Sequence, residues 1–164
     1  MANRVTRTRF ALIMLLLIGL HFYVRPRLWD PRIAPDFLML ALMIYATRTR
    51  TGNAAVAGFI IGLASDALTP ARLGAGALAH TLVGYLAAWG RAVFFADNLL
   101  VHAGFIGAGV WLRDVIVLVG SGAGGRRILL HLVTWSPLQA LSTAVAGVII
   151  LIIFRDWLAI RLDE

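Results

Sequence analysis

The sequence contains neither cysteine nor lysine. The absence of cysteine excludes disulfides, acylation of a lipoprotein cysteine, thiolate catalysis and thiolate metal sites. Acidic residues are also scarce, because Asp and Glu together number 8 against 15 basic residues, all of them arginine. The net charge is +7, and the positions of the arginines must therefore show what this positive charge contacts.

Apolar residues are abundant and make up 60% of the 164 residues, whereas charged residues make up 14%. A soluble domain is closer to half apolar and a quarter charged. The apolar residues form long uncharged blocks, and a helix needs about 20 of them to cross a membrane. We therefore predict an all-α fold, a polytopic membrane helix bundle of about six spans. The predicted spans are residues 8–24, 35–47, 54–68, 73–95, 99–119 and 131–154.

Six such helices use most of the chain, so we predict a single integral membrane domain, residues 1–164, without a soluble catalytic domain. The first span begins like a signal peptide, but no small-residue cleavage site follows it, and we expect it to remain uncleaved. Breaks are expected at Thr69–Arg72 and, inside the fourth span, near Gly90-Arg91. A charged tail follows the last span. Five spans, with the second or fourth segment re-entrant, are an alternative.

The arginines lie at the ends of the apolar blocks, which is typical of anchors that contact anionic lipid headgroups, and we expect no nucleic-acid partner. With six spans, both termini lie on one side of the membrane. The positive-inside rule then favours cytoplasmic termini and an inner-membrane location, because eight arginines lie on that side and six on the other. The eight are Arg4, Arg7, Arg9, Arg48, Arg50, Arg91, Arg155 and Arg161, and the six are Arg25, Arg27, Arg32, Arg72, Arg126 and Arg127.

The third span carries a stripe of small residues. Ala54, Gly58 and Gly62 are spaced by four and share one helix face, which lets another helix approach closely. Gly104 and Ala108 form a similar pair in the fifth span. We predict that one of these faces packs against another helix, either within the bundle or in a partner.

A second group consists of charged residues inside the spans. Asp66 ends the small-residue stripe, Arg113 and Asp114 lie in the fifth span, and His80 enters the fourth. We predict a polar cluster of these four in the outer half of the membrane, with Asp36 near its rim and Asp66 paired with Arg113, because a charge in hydrocarbon needs a partner. Two interpretations stay open, an internal structural network and a substrate or proton site.

The sequence offers no pattern of catalytic or metal-binding residues. The four histidines lie on four segments without metal-ligand spacing. Gly120–Gly125 matches Gly-x-Gly-x-x-Gly in spacing, but the strand and helix of a dinucleotide-binding unit are missing around it. We therefore expect no enzyme activity, no cofactor and no metal.

Three short motifs resemble the rod shape-determining protein MreD family. They are Pro35-Asp36 leading into an apolar span, the Gly-Leu-x-x-Asp-x-Leu segment Gly62–Leu68, and Leu73-Gly74 leading into the next span. The motif match covers residues 35–90. The first span and the last two spans resemble those of the family only in general character and carry no matching motif.

The resemblance implies a noncatalytic component of the inner-membrane machinery for lateral cell-wall synthesis, with the bitopic protein MreC as principal partner. It also implies indirect association with MreB, RodA and a class-B transpeptidase, and a fold similar to the substrate-binding components of energy-coupling-factor vitamin transporters. Two hypotheses follow. The first is a membrane scaffold that binds a partner helix, and the alternative is a small-molecule-binding component of a transporter.

Overall fold

The computed structural model describes residues 2–28, 30–67, 73–94, 99–122, 124–154 and 157, which contain helices and no strand. The predicted break at Thr69–Arg72 and the charged tail, apart from Trp157, lie outside the described residues. The helices are α1 (Ala2–Gly19), α2 (Phe37–Ala46), α3 (Thr51–Ala67), α4 (Ala75–Phe94), α5 (Leu99–Gly120), α6 (Arg126–Leu130) and α7 (Ser136–Ile153).

Two of these helices are extended by π-helical turns. α1 continues through a π turn at Leu20–Val24 and a 3-10 turn at Arg25–Arg27. A π turn at His131–Trp135 joins α6 directly to α7. Gly122 and Gly125 adopt positive φ angles of 66° and 59° in the turn between α5 and α6, a conformation that glycine tolerates.

Within the described part of the chain, three helices are long and apolar enough to cross a membrane: Arg7–Arg27, Leu100–Gly120 and Ile128–Ile153. This finding is consistent with a membrane helical protein. α4 runs without a break from Ala75 to Phe94, so the interruption predicted near Gly90-Arg91 is wrong. A helix tolerates an isolated glycine at a modest cost, which explains why Gly90 does not end it.

The short helix α2 lies at the centre of the bundle. All of its residues except Tyr45 are buried, and it contacts α1, α3, α4, α5 and α7. A helix that is apolar on every side is expected in such a position. Its 10 residues give a length of about 15 Å, half of the roughly 30 Å hydrocarbon core. α2 is therefore much shorter than the helices that it contacts, which have 17 to 22 residues.

The most extensive helix contact joins α3 to α4. The buried residues of α3 are Ala54, Gly58, Gly62 and Asp66, so the small-residue stripe lies against α4. A Cβ atom built on Gly58 would overlap the backbone carbonyl of His80, and one on Gly62 would overlap the backbone of Ala77. The two backbones are thus close enough to exclude any side chain larger than hydrogen at these positions.

The Gly104–Ala108 pair behaves differently. Both residues are exposed on α5, and a Cβ atom built on Gly104 would meet no atom within 4 Å. Of the two predicted small-residue faces, one is therefore used for internal packing and the other is open on the surface of the bundle.

We expect Gly58→Ala to lower the free energy of unfolding by about 2 kcal/mol or more, because the added methyl group must push α3 and α4 apart. Gly104→Ala is the matched control and should leave stability unchanged or slightly higher, since its methyl group enters open space. Thermal unfolding of the two purified variants in the same detergent checks this. Equal melting temperatures would contradict the close α3–α4 packing.

Candidate functional site: a buried polar network at the start of α2

Asp36 occupies the centre of a buried polar network that joins four helical segments. It precedes α2 and caps it, since its Oδ1 accepts a hydrogen bond of 3.0 Å from the amide of Met39. Its own amide donates to Thr143 Oγ1 of α7 at 3.0 Å. Only 3% of Asp36 is exposed, so its charge must be balanced inside the protein.

Arg113 of α5 provides that balance. Its Nη2 donates to Asp36 Oδ2 at 2.8 Å and to Gln139 Oε1 of α7 at 3.3 Å. Its Nη1 lies 3.1 Å from Asp114 Oδ1, so one guanidinium group faces two carboxylates.

His21 brings the end of α1 into the same network. The π turn at Leu20–Val24 places its ring next to α2, where Nδ1 lies 3.2 Å from the amide of Leu38 and 3.4 Å from Asp36 Oδ1. π turns add a residue to a helix and frequently occur at functional positions. We refer to Asp36, Arg113, Asp114, His21, Gln139 and Thr143 as the Asp36 network.

Asp66 lies outside the Asp36 network, so the predicted pairing of Asp66 with Arg113 is wrong. Its carboxylate accepts three backbone hydrogen bonds, from Gly74 at 2.8 Å and from Gly76 and Ala77 at 3.0 Å each. These amides lie at the start of α4 and have no carbonyl acceptor within that helix. The negative charge of Asp66 also faces the positive end of the α4 dipole.

His80 lies on α4, one turn after the amides that bind Asp66. The side chain is buried, and its Nδ1 is 2.8 Å from the carbonyl of Gly76 one turn earlier in α4. The predicted cluster is therefore two neighbouring sites, with Asp36 at the centre of one, although Asp36 was expected only at the rim.

The loop that leads into α2 packs against the continuous helix formed by α6, the π turn at His131–Trp135 and α7. Arg32 pairs with Asp30 at 2.9 Å, and its guanidinium lies 3.9 Å from the centroid of the Trp135 ring. The hydrogen bond from Arg32 lowers the pKa of the partly buried Asp30 carboxyl. Ser142 Oγ donates to the carbonyl of Ile33 at 2.6 Å. These contacts hold the loop that precedes Asp36 against the π turn at His131–Trp135 and against α7.

Three members of the Asp36 network were missed by the sequence analysis: His21, Gln139 and Thr143. Each is a polar residue inside an apolar segment, which is the signal that could have found them. Among the described residues, no group of three His, Asp or Glu side chains is placed to hold a metal ion. The network can balance charge and hold α1, α2, α5 and α7 together.

Removal of the Asp66 carboxylate should destabilise the protein independently of Arg113. Asp66→Ala leaves three amides without their acceptor, and we expect it to lower the free energy of unfolding by about 2 to 4 kcal/mol. Because Asp66 and Arg113 share no contact, the effects of Asp66→Ala and Arg113→Gln should add to within about 0.5 kcal/mol in the double variant. Thermal or denaturant unfolding in detergent measures both effects. If the double variant loses clearly less free energy of unfolding than the sum of the two single variants, Asp66 and Arg113 interact and the predicted pairing is correct.

A family model described as rod shape-determining protein MreD matches residues 3–157 of the chain. The match extends well beyond the motifs at 35–90 and includes the first and last helices. No curated protein and no solved structure gives a significant match.

Proposed function

Since the chain belongs to the MreD family and therefore has a role in rod-shape determination, we propose that it is a noncatalytic scaffold of the cell-wall elongation complex. In this proposal it binds the transmembrane helix of an MreC-type bitopic protein in the inner membrane, with both termini cytoplasmic. MreB, RodA and a class-B transpeptidase would associate with it indirectly. The family is a shape-determining structural family and not a known enzyme family.

The open face of α5 is the observation that supports a partner helix. In lipid, helices associate through close packing of small residues, because there is no hydrophobic driving force between them. The Gly58–Gly62 stripe is already covered by α4, whereas Gly104 and Ala108 are exposed on the bundle surface. This leaves the Gly104–Ala108 face as the place where a partner helix could approach as closely as α4 approaches α3.

A shallow apolar groove adjoins this face between α4 and α5. Its volume is about 110 Å³, and its lining includes Ala108, Phe105 and Leu112 of α5, Leu86 of α4 and Met43 of α2. A groove of this kind can accept side chains of a partner helix that crosses Ala108. The groove is too apolar to supply the donors and acceptors of a polar metabolite site.

The transporter alternative has less support. Most charged atoms of the Asp36 network contact one another or the backbone, as Asp36, Arg113 and Gln139 illustrate, whereas Nε of Arg113 and Oδ2 of Asp114 are buried without a hydrogen-bond partner. A ligand site would need polar groups directed toward an open cavity. The likeness to energy-coupling-factor components stays a prediction of the family resemblance.

Co-purification of the tagged chain with its MreC-type partner from native membranes tests the proposal. Gly104→Leu should reduce partner recovery about tenfold or more, because a bulky side chain prevents close helix approach. Ala64→Leu is the matched control, since Ala64 is an exposed small residue on the outer face of α3. Both variants should keep the melting temperature of the natural chain.

Recovery of the wild-type chain without any bitopic partner would contradict the scaffold function itself. Equal recovery with Gly104→Leu and Ala64→Leu would instead contradict only the assignment of the α5 face. A metabolite or ATPase subunits that co-purify in stoichiometric amount would favour the transporter alternative.

A further inference from the structure

The turn between α2 and α3, residues 47–50, lies in a recess at the membrane surface that bears the N-terminus. Phe10 of α1 packs beside Tyr45, with ring centroids 6.4 Å apart. α1 begins at Ala2, so it extends about 12 Å beyond this level at 1.5 Å per residue. One wall of the recess is therefore the first two turns of α1.

α4 and α5 extend beyond the turn on the other side of α2. A Cβ atom built on Gly84 would approach Leu42 to 3.2 Å, and one on Gly109 would lie 3.0 Å from the sulfur of Met43. From these levels, α4 and α5 each extend about 10 Å beyond the end of α2, because α2 ends first. The turn therefore forms the floor of a recess whose walls reach about 10 Å beyond the end of α2.

The recess is basic and partly aromatic. Arg48 and Arg50 are exposed on its floor, and Arg9 is exposed on the α1 wall. The guanidinium of Arg48 lies 5.2 Å from the centroid of Phe10, and that of Arg9 lies 5.6 Å from the centroid of Trp157. Within the described part of the chain, none of these three arginines has a carboxylate within 4.0 Å.

We propose that this recess is a binding site for the phosphate of an anionic phospholipid, held between Arg9 and Arg48. Guanidinium groups match phosphate oxygens in geometry as well as charge. The aromatic rings beside them suit the boundary between headgroup and acyl chain. A lipid is the fitting occupant because the recess lies at headgroup level, where α1 and α4 extend past the buried end of α2.

Basic residues at a membrane surface attract anionic lipid in general. The recess differs from such a surface because it gives the lipid phosphate one defined position. Arg9 and Arg48 contact aromatic rings that limit their movement, so less side-chain entropy is lost when they bind one phosphate. Arg27, by contrast, is exposed at the opposite end of α1 and has no aromatic ring contact among the described residues. Arg27 therefore serves as a control for general charge attraction.

The test uses the full chain, purified alone in a neutral detergent, so that its outcome does not depend on partner capture. Phosphatidylglycerol or phosphatidylcholine is added in mixed micelles, and bound lipid is counted by native mass spectrometry while tryptophan fluorescence reports the melting temperature. We expect the natural chain to retain phosphatidylglycerol preferentially and to melt at a higher temperature with it. Arg9→Gln combined with Arg48→Gln should weaken this binding about tenfold or more.

Matched variants and competitors separate the possible sources of the anion. Arg27→Gln, and neutralisation of the acidic residues Asp156, Asp163 and Glu164 of the tail, should leave the binding of phosphatidylglycerol in place. Millimolar inorganic phosphate should not displace the lipid. Equal binding of both lipids, displacement by free phosphate, or unchanged affinity in the double variant would each overturn the proposal. Displacement by an acidic peptide would point to a protein partner instead and would also overturn it.

Discussion

The ion pair between Asp36 and Arg113 is the interaction on which the rest of the structure depends. α2 is only about half as long as the hydrocarbon core is thick, so the carboxylate that caps it lies well inside the bundle. An isolated charge at such a depth is costly. Arg113 removes that cost at 2.8 Å, and the same guanidinium group holds Asp114 and Gln139. Charge balance at one helix end thereby fixes the relative positions of α2, α5 and α7.

The arrangement of helices around α2 also determines which surfaces are free. α3 and α4 form a closely packed hairpin because Gly58 and Gly62 have no side chain to separate the two backbones. Asp66 joins the end of α3 to the first amides of α4, at the end of the hairpin where the chain passes from one helix to the other. With the Gly58–Gly62 stripe of α3 occupied in this way, Gly104 and Ala108 of α5 form the predicted small-residue pair that stays exposed. The short central helix leaves a recess at one membrane surface and brings the Asp36 network into the bundle at the other end.

Much of the helical layout could be predicted from the sequence, because apolar blocks and four-residue spacing are local signals. The spacing of Ala54, Gly58 and Gly62 defined one face of α3, and that face lies against α4. The partner of Arg113 could not be predicted in this way, since it depends on the depth of each charge and on the backbone around it. The carboxylate of Asp66 is bound by backbone amides eight to eleven residues further along the chain. Asp36 lies deeper than expected because α2, which it caps, is short. The contribution of His21 depends on a π turn, which has no recognisable signature in this sequence.

A double-mutant cycle on Asp36 and Arg113 tests the central claim most directly. Asp36→Asn and Arg113→Gln should each lower the free energy of unfolding by about 3 kcal/mol, because Arg113→Gln leaves the buried Asp36 carboxylate without its counter-charge and Asp36→Asn removes the closer of the two carboxylates that face Arg113. If the two groups neutralise each other, the double variant should be milder than the sum of the single variants by about 1 to 3 kcal/mol. Effects that add to within about 0.5 kcal/mol would show that the pair does not form and would contradict this account.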